Sequence, residues 1–148
     1  GGADKVVVVM GAHSESTLVS DVARTFGCQA LVLAVDVQNG RVRGMGAGPG
    51  PAMWCSWLRD TGAGEILLTS IDREGTLQGY DLDLIHAVSD AVTIPVIANG
   101  GCGTYEHMHQ AIEAGADAVA AGAMFQFTDQ TPKGAAEYLQ ARGVEVRL

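Results

Sequence analysis

Gly62-Ala63-Gly64-Glu65-Ile66-Leu67-Leu68-Thr69-Ser70-Ile71-Asp72-Arg73-Glu74-Gly75-Thr76 is an apolar run entered through small residues and left through polar ones. Ile66 to Ile71 is apolar enough to be covered on both faces, the mark of a strand inside a parallel sheet. Hydroxyls and carboxylates follow where such a strand meets its loop, and ligands of parallel α/β sheets bind at those carboxyl ends. The stretch therefore predicts a sheet strand with a candidate site immediately after it.

Outward from this strand the chain alternates strand and helix. Lys5 to Val9 is a β-branched run, followed by the capping cluster Ser14-Glu15-Ser16-Thr17 and by Leu18, Val22 and Phe26 at helical spacing, stopped at Gly27. Ala30 to Val35 is the next strand, ending in Asp36; Asn39-Gly40 then reads as a turn and Gly44 to Gly50 as a flexible loop. Trp54, Trp57 and Leu58 are expected on one face of the helix that follows. After the opening stretch, Asp81 is expected to cap a helix carrying Leu84, Ile85 and Val88. Ile94 to Ala98 is a strand with Pro95 at its start. Thr104 is expected to cap a helix with Met108 and Ile112, Ala118 to Ala121 forms the fifth strand, and Thr131-Pro132 opens a last helix through Leu139. Gly2-Ala3-Asp4-Lys5-Val6 and Gly115-Ala116-Asp117-Ala118-Val119 echo each other, both leading into strands.

Five βα units in succession imply a parallel sheet with right-handed crossovers. With 148 residues the chain is read as a single domain, residues 1–148. Length and composition alone favour a flavodoxin-like open sheet over a half-barrel of the TIM type. A formal charge of −8 argues against nucleic acid or an anionic membrane as partner, because phosphate backbones require clusters of Lys and Arg. A small phosphorylated ligand needs only local backbone N–H groups and stays compatible with that charge. Three cysteines, odd in number and widely spaced, imply neither a disulfide framework nor a metal pair, and predict a cytoplasmic location. No apolar run approaches the ~18 residues of a membrane span, and Gly1 to Lys5 does not read as a signal peptide. His107 and His109 lie on different helix faces, so no metal or cofactor is expected.

Thr69-Ser70-Ile71-Asp72-Arg73-Glu74-Gly75-Thr76 and Asn99-Gly100-Gly101-Cys102-Gly103 resemble, in order and spacing, the cyclase subunit of imidazole glycerol phosphate synthase, a TIM barrel of histidine biosynthesis. Gly2 to Val6 is similar to the entry of that family's fourth strand, Leu33 to Asp36 to its fifth and Gly115 to Phe127 to its eighth. The resemblance covers nearly the whole chain except Val37 to Pro51, and strands one to three have no counterpart. It therefore implies a parallel (βα)5 half-barrel, either natural or a fragment, and reverses the preference for the open sheet.

The family's cyclase joins ammonia to a phosphoribulosyl aminoimidazole carboxamide and closes an imidazole ring, with two aspartates as acid and base. On position alone Asp36 reads equally as a cap for the next turn or as a proton carrier; the resemblance makes it the catalytic candidate, with the first-strand aspartate absent. Gly100, Gly101 and Gly103, after Asn99, let the backbone approach an anion. Gly122-Ala123 stands where the family adds backbone and a hydroxyl to the same phosphate, so one hydrogen bond worth ~1 kcal/mol is expected to be lost. Glu74-Gly75 falls where the family closes over that phosphate, and Thr69 where it faces the substrate. Val9 and Met10 replace the polar ligands of a second phosphate. Lys5 and Glu65 are expected to pair, either as part of the family's ammonia gate, facing a glutaminase subunit, or as a plain surface salt bridge. The resemblance thus implies a lyase or cyclase that is inactive unless an N-terminal half completes it, and whose open edges favour a homo-oligomer. The alternative is a non-catalytic phosphate-binding or self-assembling module.

Overall fold

The computed structural model describes residues 2–9 and 16–146. Met10 and the first two residues of the capping cluster, Ser14 and Glu15, lie outside the described residues. The elements run β1 (Val6–Val9), α1 (Ser16–Phe26), a 3-10 turn (Cys28–Ala30), β2 (Leu31–Gln38), β3 (Arg41–Val42), α2 (Pro51–Asp60), β4 (Glu65–Ser70), α3 (Leu82–Ser89), β5 (Val96–Asn99), α4 (Tyr105–Glu113), β6 (Ala118–Val119), α5 (Ala123–Phe127) and α6 (Pro132–Gln140).

Along the parallel sheet the order is β1-β2-β4-β5-β6, with β3 paired antiparallel to the end of β2. The opening stretch supplies β4, which lies in register between β2 (Val35 beside Leu68) and β5 (Leu68 beside Ala98). Neighbours in space are neighbours in sequence, so right-handed crossovers put every helix on the same side. The packing agrees. Leu31, Leu33, Val35, Ile66, Leu68 and Val96 all enter one core with Val19 of α1, Cys55 and Leu58 of α2, and Val88 of α3. Ala98 continues that face into a second core with Ile85, Met108, Ala111, Met124 and Leu139. The alternate residues Val32, Ala34, Asp36, Leu67, Thr69, Ile97 and Asn99 form the other face, which no helix among the described residues crosses. A flavodoxin-like sheet has helices on both faces and a first strand inside the order; this sheet has neither feature and is an α/β arc of the TIM-barrel kind.

Several expected details differ. Leu18 and Phe26 are exposed, and α1 buries Val19 instead. Trp57 is half exposed beyond Leu58, its ring edge-on to Trp54 at 6.0 Å. The last strand spans only Ala118–Val119, and the short helix α5 follows it. The Asn39-Gly40 turn, with φ of 50° and 70°, closes a β2–β3 hairpin, as two-residue turns with positive φ do.

Candidate functional site

Three polar side chains line up across the helix-free face at the carboxyl ends of the strands. Asp36 of β2 is in register with Thr69 of β4, and Thr69 with Asn99 of β5. Period-two alternation places all three on one face, and Asn99 Nδ2 donates to Thr69 Oγ1 at 3.2 Å. Thr69 is buried, whereas Asp36 and Asn99 are partly open.

Beyond this row, the loops after β4 and β5 are tied together. Gly79 N donates to Gly101 O at 2.8 Å, and Asp72 accepts from Asn39 N at 2.6 Å, joining the hairpin to the β4 loop. Between the loops after β4, β5 and β6 lies a cleft of about 350 Å³. Glu74 and Gly75 form one wall, Asn99 to Cys102 the floor, and Ala120 to Ala123 with Gln126 the other wall. Among the described residues, the N–H groups of Gly75, Gly101, Gly122 and Ala123 donate to no acceptor in the chain. Buried or half-buried N–H groups are nearly always paired, so the open donors of buried Gly101 and half-buried Ala123, with those of exposed Gly75 and Gly122 beside them, are suited to an anion. Burial pushes the Cys102 thiol up, against smaller lowering effects of hydrogen bonds with Tyr80 and the Thr104 backbone, so its sulfur brings no charge to the floor.

Gly103 stands apart from this wall. Its N–H donates to His107 Nδ1 at 3.2 Å, and a Cβ there would stand 2.2 Å from Leu77 O. Its glycine is needed for loop packing. Lys5 and Glu65 do pair, at the opposite end of the strands, with their side chains 48% and 20% exposed. Val9 is exposed at the end of β1 and presents no polar side chain. The Asn99–Thr69 bond, the Asp72 link and Gln126 were not singled out from the sequence. Alternation and strand order would have put Asp36, Thr69 and Asn99 in one row, but Ala-Met-Phe-Gln-Phe carries no helix signal that separates α5 from the strand before it.

A one-sided parallel arc with a polar row and a cleft at the strands' carboxyl ends is the α/β architecture of a TIM-barrel half. The family model described as "Histidine biosynthesis protein" matches residues 1–131, and the chain belongs to that family. It is 47% identical over 155 aligned residues to the imidazole glycerol phosphate synthase subunit HisF of Pyrobaculum aerophilum, covering 99% of this chain and 61% of that protein. The HisF subunits of Chlorobium limicola and Chlorobaculum tepidum are each 44% identical, with 99% of this chain and 62% of theirs covered. The chain thus spans about three fifths of the length of these relatives. No helix among the described residues is long and apolar enough to cross a membrane.

Proposed function

We propose that this chain is the phosphate-holding C-terminal part of an imidazole glycerol phosphate synthase cyclase, with one of its two proton-transfer groups. The observation that carries the reading is the cleft: four open N–H donors sit beside the row Asp36, Thr69 and Asn99, so a phosphorylated substrate held there would extend across the polar face. In this reading Asp36 carries a proton for ring closure, Thr69 is oriented by Asn99 toward the substrate, and Glu74-Gly75 closes over the phosphate. Ammonia enters past the Lys5–Glu65 pair at the far end of the strands, supplied by a glutaminase subunit. The second acid comes from the part of the relatives' length not represented here, and the second phosphate site, where Val9 and Met10 replace polar ligands, is lost. The isolated chain is therefore inactive, and its open sheet edges favour self-association.

The test mixes the chain with a polypeptide supplying the first three strands of a related cyclase, including its first-strand aspartate, and assays ammonium-dependent turnover of the phosphoribulosyl substrate. Turnover by the mixture that disappears with Asp36→Asn supports the reading. A mixture that stays equally active with Asp36→Asn overturns Asp36 as the proton carrier.

A further inference from the structure

The cleft must hold an anion without a cation. No Lys or Arg lines it, and Glu74 contributes a carboxylate, so neutral donors have to do the holding. Three lining side chains besides Glu74 are polar. Asn99 Nδ2 is engaged by Thr69 Oγ1, and Cys102 Sγ donates toward Thr104 O at 3.6 Å and lies 3.6 Å from Met124 Sδ. Gln126 alone has a carboxamide with no hydrogen-bond partner among the described residues.

Its placement follows from the local fold. Gln126 N donates to Gly122 O at 3.2 Å, so Gln126 stands one helical turn after Gly122. Helical side chains lean toward the N-terminus and cover the preceding turn, which here is the turn whose Gly122 and Ala123 N–H groups open into the cleft. Ala123 has no hydroxyl to offer at that wall, and a carboxamide one turn later brings two N–H donors on a longer arm.

We propose that Gln126 is a binding residue of this cleft, donating from its carboxamide to a phosphate oxygen in place of a hydroxyl at Ala123. The inference rests on the phosphate reading above. It makes the site specific for a group that accepts hydrogen bonds on several sides, a phosphomonoester or inorganic phosphate. Gln126 is exposed, so changing it leaves the core intact.

The experiment titrates the whole chain with inorganic phosphate at constant ionic strength, using chloride as the counter-titrant, and follows backbone amide resonances. Wild type is compared with Gln126→Leu, which keeps the bulk and removes the donors, and with Gln126→Glu, which also adds a repelling charge. The expected result is saturable movement of the Gly75, Gly101, Gly122 and Ala123 amides, weakened about tenfold in Gln126→Leu, as for a hydrogen bond to a charged group, and lost in Gln126→Glu. Wild-type binding at these amides with unchanged affinity in Gln126→Leu overturns the role of Gln126 and leaves the phosphate reading standing. Wild-type amides that do not move with phosphate overturn both.

Discussion

Gly101 has φ of 98°, and a Cβ added there would stand 2.2 Å from Gly79 O and 2.9 Å from Arg73 Cβ. Both the left-handed backbone and the close approach demand glycine, because the loops after β4 and β5 are joined at this point. Gly101→Ala is expected to destabilise the fold by roughly 3 kcal/mol, read as a lower urea midpoint at unchanged m. Loss of phosphate binding in that variant would then report on the loop, which is why the side chain of Glu74 offers a cleaner probe. Its carboxylate shares the cleft with any bound anion, so Glu74→Gln is expected to tighten phosphate by a few-fold, on the order of 0.5–1 kcal/mol for like charges separated in a wet site. Weaker binding measured by calorimetry would contradict this repulsion. The glycines of this site were legible as glycines, since only an unusual backbone calls for three within four residues. Which N–H groups face the cleft was not legible: Gly103 has the same spacing signal as Gly101, yet its donor is taken by His107 Nδ1.

The helices were legible where a single capping residue fixes the first turn. Asp81, Thr104 and Thr131 each accept from the N–H three residues on, Leu84, His107 and Gly134. Replacing Thr104 with Ala is expected to cost about 1 kcal/mol in denaturant unfolding, and an unchanged midpoint would show that the cap is redundant. Faces were less legible than ends. Leu18, Val22 and Phe26 are spaced by four, and each such step advances about 40° around the helix, so the row winds off any one face. The sheet side of α1 instead takes Val19, with Val22 and Ala23 packed against it. A pair of facing helices holds a coupled group: the Tyr138 hydroxyl donates to Glu106, and Arg142 stacks 3.6 Å over the Tyr138 ring. The Tyr138 hydrogen bond, ahead of the charge of Arg142, lowers the Glu106 pKa, while the same bond raises that of Tyr138. A lowered carboxyl contributes stability that is present above its unfolded pKa and lost as pH falls through the folded value. A raised phenol contributes stability that is present below its unfolded pKa and lost as pH rises through the folded one. Tyr138→Phe should therefore move the Glu106 carboxyl titration, followed by carbon NMR, back up toward the ordinary range. A titration that does not move would place the cause with Arg142.

At the scale of the molecule, length and composition could not distinguish an open sheet from an arc of a barrel, because both are strings of βα units. The decisive fact, that strand order equals chain order and all helices share one face, became legible only through the motif order of the known family. The arc leaves apolar surface at both ends of the sheet. Val6, Val7, Val9 and Phe26 are 44–68% exposed at the β1 end, and an apolar groove of about 330 Å³ lined by Met108, Phe125 and Leu139 lies at the β6 end. Such edges pair readily, so light scattering is expected to show oligomers at micromolar concentration, reduced by Val7→Lys; a stable wild-type monomer would contradict this. Closing the face matters for chemistry as well as solubility. Ring closure needs a proton donor and an acceptor on opposite sides of one substrate, held closely enough for positioning to count. On the described polar face Asp36 is the acid in line with Thr69 and Asn99, while Glu74 borders the anion cleft and Glu65 is bound to Lys5 at the far end. The chain alone is therefore expected to give no ammonium-dependent cyclase turnover in a steady-state assay. Activity in the isolated wild type that vanishes with Asp36→Asn would mean that one acid and one phosphate site suffice.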